Sequence, residues 1–304
     1  MHSNYPSIRR STLRICAGLL AIPLLGLTVR GTTILTDNFT SATTTGTTGV
    51  GGGTGYITSS TTYYSTNINT GGGPITLVAN NTAPISGNAL RFSGYSSNST
   101  GVASFSTVNL GLGQFITISV DYYSTSGTGT PFLGLYNDGG TPLAANLYGQ
   151  LDGTGPTSAL HGDKGYNFVK TLGVTTDDIR IYSELPSQWK PLQFRTNNGV
   201  ALGSAASSGI SGGGPVNMSL TLARELNGDL SITATYGAFS TKTTVTAASV
   251  LTTSFNELAL AGYGESYFDN ISITTGTSPI PEASTAALLT GAVALAFVGA
   301  RRSR

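Results

Sequence analysis

Apolar and polar residues alternate with a period of two through much of the chain. In Phe115–Tyr123, Ile116, Ile118, Val120 and Tyr122 fall on one face and Thr117, Ser119 and Asp121 on the other. That is the pattern of a half-buried strand. Val216, Met218, Leu220 and Leu222 repeat it, as do Leu230, Ile232, Ala234 and Tyr236. Between these two runs stands Leu226-Asn227-Gly228-Asp229, whose Asn-Gly pair is a strong hairpin signal. Further strands are predicted at 33–39, 89–93, 102–106, 132–137, 179–183, 241–246, 256–261 and 267–274. Gly71-Gly72-Gly73-Pro74 and Gly212-Gly213-Gly214-Pro215 break the pattern. Residues 40–55 are Thr/Gly-rich without an apolar period and read as a flexible loop. No segment of 32–280 combines a 3.6 period with helix caps. Many strands and Gly-rich turns predict an all-β domain, a β-sandwich or jelly roll, over residues 32–280.

The two ends follow other rules. Residues 1–14 carry Arg9, Arg10 and Arg14 and no acid, and Ile15 to Leu27 is apolar apart from Pro23 and small residues. This reads as a secretory signal peptide over residues 1–31, with Val29-Arg30-Gly31 as its boundary. An ordinary basic n-region accounts for the arginines better than a twin-arginine signal. Cys16, the single cysteine, lacks the small residue that precedes a lipidated cysteine. Removal of this segment leaves no thiol and no disulfide. At the other end, Pro279-Ile280-Pro281-Glu282-Ala283 precedes an uncharged run from Ala283 to Ala300, and Arg301, Arg302 and Arg304 follow. At about 1.5 Å per residue this run spans most of a hydrocarbon core, so it reads as a transmembrane helix over 283–300. The arginines then face the cytoplasm as a basic stop.

Charge separates the same three parts. The whole chain has 15 bases, 14 acids and a formal charge of +1. Residues 32–280 hold eight of the bases and 13 of the acids, a charge of −5. The positive charge therefore belongs to the terminal segments, and an acidic central part without a basic cluster argues against nucleic acid as a partner. Only 10% of residues are charged, against about 25% in typical domains. Thr, Ser, Gly and Asn make up the difference, and such an uncharged polar surface can hydrogen-bond to sugars.

The tail resembles the PEP-CTERM family of bacterial sorting signals, in which a Pro-Glu-Pro motif precedes a membrane helix and an Arg-rich end. Pro281, Glu282 and Ala283 occupy the motif, with Ala283 departing from the usual proline. The resemblance covers residues 279–304. It implies recognition by an exosortase, cleavage near the motif, and export from the inner membrane of a Gram-negative bacterium to its surface or exopolysaccharide matrix. A plain membrane anchor without processing is the simpler alternative, but it leaves the Pro-Glu motif unexplained. Leu35–Phe39, Phe132–Asp138 and Tyr267–Ile273 are similar to short pieces of concanavalin A/LamG-type jelly rolls. That resemblance implies two antiparallel sheets with the first and last strands close together.

Few residues carry recognisable chemistry. His161, in the polar loop Leu160–Gly165, is the only histidine outside the signal segment, too few for a nucleophile–His pair or a zinc site. The Glu-x-Asp-x-x-Glu strand of jelly-roll glucanases is absent. Two acid pairs are spaced four residues apart: Glu225 with Asp229, which flank a turn, and Glu265 with Asp269. Asp269 shares strand parity with Ile271 and Ile273, so it is expected to point inward and to need donors or a cation. Asp269 and Asn270 are therefore calcium-ligand candidates, although a carboxylate bonded to loop amides is the plainer reading. Asp177-Asp178 and Asn137-Asp138-Gly139-Gly140 read as turns first and as calcium or sugar loops second. Trp189 is a candidate sugar-stacking residue, and one member each of Tyr63-Tyr64 and Tyr122-Tyr123 is expected to be exposed. No catalytic constellation is present and no cofactor is implied.

These observations describe an exported, non-catalytic protein with a structural or adhesive role at the cell surface or in exopolysaccharide. A carbohydrate-binding module with a defined site is the alternative. A secreted glycan-active enzyme is a third reading, marked by two carboxylates about 5–10 Å apart in a cleft.

Overall fold

The computed structural model describes residues 31–45, 56–67, 75–79, 85, 87–92, 99–125, 130–148, 162–170, 178–184, 199–206, 215–262 and 264–277. Residues 1–30 of the signal segment, His161, Asp177, Trp189 and the tail with Pro281, Glu282, Ala283, Arg301, Arg302 and Arg304 lie outside them. In chain order the strands are β1 (Gly31–Asp37), β2 (Thr43–Thr45), β3 (Tyr56–Thr58), β4 (Thr62–Asn67), β5 (Thr76–Ala79) and β6 (Asn88–Phe92). Then follow β7 (Ser99–Asn109), β8 (Gln114–Ser124), β9 (Phe132–Asn137), β10 (Leu147–Tyr148), β11 (Lys164–Lys170) and β12 (Asp178–Glu184). The last are β13 (Val200–Ala206), β14 (Val216–Arg224), β15 (Leu230–Tyr236), β16 (Phe239–Val245), β17 (Ser254–Ala261) and β18 (Ser266–Thr277).

They form a β-sandwich. An eight-stranded sheet runs β16-β15-β14-β8-β18-β6-β5, with β1 also paired to β18. A ten-stranded sheet runs β13-β12-β11-β9-β17-β7-β4-β3-β2, with β10 on β4. The first and last described strands, β1 and β18, are antiparallel neighbours, as the jelly-roll resemblance implied. Every strand predicted from period-2 alternation is present, and Gly228 turns the β14–β15 hairpin at φ 89°. The loop reading of 40–55 is corrected at Thr43–Thr45, which pairs with β3.

The alternation fills the core. Ile116, Ile118, Val120 and Tyr122 are fully buried, as are Met218, Leu220, Leu222, Ile232, Ala234 and Tyr236. They meet Leu133, Leu135, Phe168, Ile181, Leu258 and Leu260 from the other sheet. Each large apolar side chain so buried contributes about 1.5–3 kcal/mol.

Period two fails within β18, and with it the core-facing orientation expected of Asp269, which is nonetheless buried. The pairing of β18 with β8 shifts between Asp269 and Ser272, because Asn270 takes φ 49° and inserts one extra residue. Phe268 and Ile271 therefore both reach the core, while Asp269 lies opposite Asp121. Asn tolerates this left-handed backbone better than most residues.

Candidate functional site

The face of the ten-stranded sheet that points away from the sandwich core is also buried. Antiparallel sandwich sheets commonly leave that face to solvent. Here Val102, Phe132, Tyr136, Leu143, Val169, Tyr182, Ala259 and Ala261 form a second apolar cluster on it. Leu143 comes from the segment after β9, which folds over the sheet.

A polar row crosses this apolar layer. Glu257 on β17 stands opposite Tyr136 on β9, Tyr136 opposite Gly165 on β11, and Gly165 opposite Glu184 on β12. Two glycines make room for the tyrosine ring. A Cβ on Gly165 would strike the Leu135 carbonyl, and one on Gly134 would come within 3.0 Å of Tyr136 Cζ. The ring therefore lies over the sheet, and its hydroxyl donates to Glu184 Oε2 at 2.9 Å. Asn167 Nδ2 donates to the same hydroxyl at 2.8 Å and to Glu184 Oε2 at 3.4 Å. Burial, then the Glu184 charge, pushes the Tyr136 hydroxyl well above its ordinary value, so it stays a neutral donor.

At the end of this row Asp163 and Glu257 come close enough for each to perturb the other. Both are wholly buried, and none of their four carboxylate oxygens meets a donor among the described residues. Burial pushes Asp163 up to about 7 against the opposing effect of its bond to Glu257, and the Asp138 charge adds to the rise. Burial also pushes Glu257 well above the carboxylate range, reinforced by the charges of Asp163 and Asp138. Two carboxylates cannot bond each other, but a carboxylic acid and a carboxylate can. The pair therefore holds a proton between its members around neutral pH, as coupled acids do.

An open groove of about 450 Å³ lies elsewhere, where β1, the β3–β4 turn and β7 meet. Ile34, Leu35, Ser60, Thr61, Ser104, Phe105 and Ser106 line it, and all are uncharged. The Thr61 hydroxyl donates to the Ser104 carbonyl at 2.8 Å. Asp37, itself 1% exposed, fixes the wall. Its carboxylate accepts from Phe39 N at 3.0 Å, Ser59 Oγ at 2.6 Å, Ser60 N at 3.2 Å and the Tyr63 hydroxyl at 3.1 Å. These bonds hold Phe39 at φ 55° with its ring 5.4 Å from that of Tyr63. Burial first, then Asp37, keeps the Tyr63 hydroxyl protonated.

The residues singled out from sequence are dispersed. Asp269 Oδ1 accepts the Asn270 backbone N–H at 2.7 Å, and the Asn270 amide donates to Asp121 at 2.9 Å. Among the described residues no three His, Cys, Asp or Glu side chains gather to hold a metal. Asn137 and Asp138 accept from Gly139 and Gly140 at 3.0 and 2.8 Å, which is turn chemistry. Asp138 also stands beside the acid pair. Tyr63 and Tyr122 are buried, whereas Tyr64 and Tyr123 are half-exposed. Sequence reasoning did not name Tyr136, Asp163, Asn167, Glu184 or Glu257. One signal was available: Glu257 sits in Phe255–Ala261, a strand with apolar residues at both parities, so it had no solvated face to occupy.

No protein-family model matches the sequence, and no curated protein matches it. Solved structures resemble it in arrangement. The globular domain of T. cruzi calreticulin is 9% identical at a TM-score of 0.48, over 80% of this chain and 88% of that one. A protein of unknown function with a galectin-like fold from Bacillus subtilis is 9% identical at 0.44, over 71% and 90%. An endo-1,3-beta-glucanase from Streptomyces sioyaensis is 11% identical at 0.40, over 82% and 97%. At these values no ligand, substrate or residue role passes from them to this chain.

Proposed function

We propose that the chain is an exported glycan-binding protein of the cell surface or matrix, with the groove between β1, the β3–β4 turn and β7 as its contact site. The observation that carries this reading is the lining: four hydroxyl side chains beside Phe105 and Ile34, with no charge. A sugar presents hydroxyls on its edges and C–H groups on its faces, and such a groove answers both. Its volume lies within the range of small-molecule sites. Full-length protein on a glycan array, followed by calorimetry, tests this. Phe105→Ala is expected to weaken a bound oligosaccharide about tenfold, equivalent to roughly 1.4 kcal/mol. Binding that survives this change, or no glycan binding at all, sinks the reading.

The address belongs to the same proposal and rests on the tail. Pro281, Glu282 and Ala283, the apolar 283–300 run and the final arginines support an inner-membrane precursor that an exosortase releases to the surface. Replacement of Pro281 and Glu282 is expected to leave uncleaved protein in the inner membrane. Normal release of that variant refutes the exosortase step.

A further inference from the structure

The outer face of the eight-stranded sheet carries two adjacent rows of hydroxyls. In the first row Thr36, Ser272, Ser119, Ser219, Thr235 and Ser240 stand directly opposite one another across β1-β18-β8-β14-β15-β16. In the second, Thr33, Thr274, Thr117, Thr221 and Thr233 follow the same path and end at Lys242. All twelve are half-buried or exposed. Strand spacing places neighbours in a row about 4.8 Å apart, and the rows about 6.8 Å apart. Eleven hydroxyls thus cover a patch roughly 24 Å long.

This patch is unusual in what it lacks. Lys242 is its one charge. Asp121, at its border, already accepts from Asn217 at 3.2 Å and Asn270 at 2.9 Å. The rows contain no aromatic or arginine anchor of the kind that concentrates energy in protein interfaces, and no run of cations for phosphates. They are also ordered: the Thr117 and Thr221 hydroxyls are 2.8 Å apart, and Asn217 Nδ2 donates to Ser119 Oγ at 3.0 Å. Threonine side chains are stiff at χ1, so little freedom is lost on contact. A hydroxyl both donates and accepts. The complementary partner therefore offers donors and acceptors at regular intervals, is flat, and carries no charge.

We propose that this face lies against aligned chains of an uncharged polysaccharide. The proposal rests on the glycan reading above, but it adds a second surface and a different physical form of ligand, packed chains instead of a single chain in the groove.

Co-sedimentation of the full-length protein with cellulose, chitin and an insoluble β-1,3-glucan tests it. At least one polymer is expected to retain the protein. Thr117→Lys combined with Thr221→Lys is expected to weaken that retention by at least about tenfold, while it leaves binding of soluble oligosaccharide in the groove unchanged. Thr235→Lys with Ser240→Lys, nearer the sheet edge, must act the same way and keeps the test decisive if the central pair misfolds. Retention that survives in a folded lysine variant overturns the proposal. So does failure of all three polymers to retain the protein; soluble oligosaccharides that still bind through Phe105 would then leave the groove reading standing. Preference for an anionic polysaccharide, or adsorption to growing ice without polysaccharide retention, also overturns it.

Discussion

The Asp163–Glu257 pair makes an unusual demand on pH. Most carboxylates stabilise a fold as they ionise, whereas this pair stabilises it while a proton is held. Asp163 sits near 7 in the folded state against 3.8 ordinarily, so the folded protein keeps a proton that the unfolded chain gives up. Stability from this group is complete below the ordinary carboxylate value and is lost as pH rises through about 7. Glu257 is raised as well and acts in the same direction. From pH 5 to pH 8, Asp163 alone removes about 3 kcal/mol, at 1.36 kcal/mol for each tenfold change in proton affinity. For a sandwich of this size that lowers the melting midpoint by roughly 6–12 °C. Glu265, which the Tyr267 hydroxyl holds below its ordinary value, completes its contribution under pH 5 and does not interfere. Glu257→Gln puts an amide donor where the shared proton was, and it is expected to reduce the pH 5–8 drop to less than about half. The assay is thermal unfolding by circular dichroism at constant ionic strength. A wild-type midpoint that is flat or rises from pH 5 to pH 8, or a Glu257→Gln variant with the full wild-type slope, refutes the shared proton.

Two further changes probe the framework. Asp37→Ala strands the N–H groups of Phe39 and Ser60 and the hydroxyls of Ser59 and Tyr63, and is expected to cost about 3 kcal/mol in a denaturant melt with an unchanged slope. Gly165→Ala drives a methyl group into the Leu135 carbonyl and to 2.6 Å from Tyr136 Cδ1. It is expected to destabilise by about 3 kcal/mol or more and to quench the Tyr136–Glu184 contact, which tyrosine absorbance on alkaline titration reports.

Strands were legible wherever one face meets the core and the other meets solvent, as in β8, β14 and β15. β11 was not read as a strand, although it is an interior strand of the ten-stranded sheet. Both of its faces are buried, so Lys164–Lys170 has no alternation to detect. The same cause hid the candidate site. Tyr136, Asn167, Glu184 and Glu257 belong to four separate strands, and only sheet order makes them neighbours. Asp269 misled for a local reason: one extra residue at Asn270 reverses parity, and period-two arguments fail across a bulge.

By itself, the sequence determined the fold class, the apolar face of each half-solvated strand, the Asn227-Gly228 hairpin and the contrast between an acidic middle and basic ends. Those depend on residues near one another along the chain. Tertiary structure alone decided which strands adjoin, and so which acids meet. It set Asp163 against Glu257 across more than ninety positions of sequence, aligned eleven hydroxyls from six strands, and bound the groove wall to Asp37. Each outcome depends on long-range register, which period-two patterning constrains to one face but does not assign to a partner.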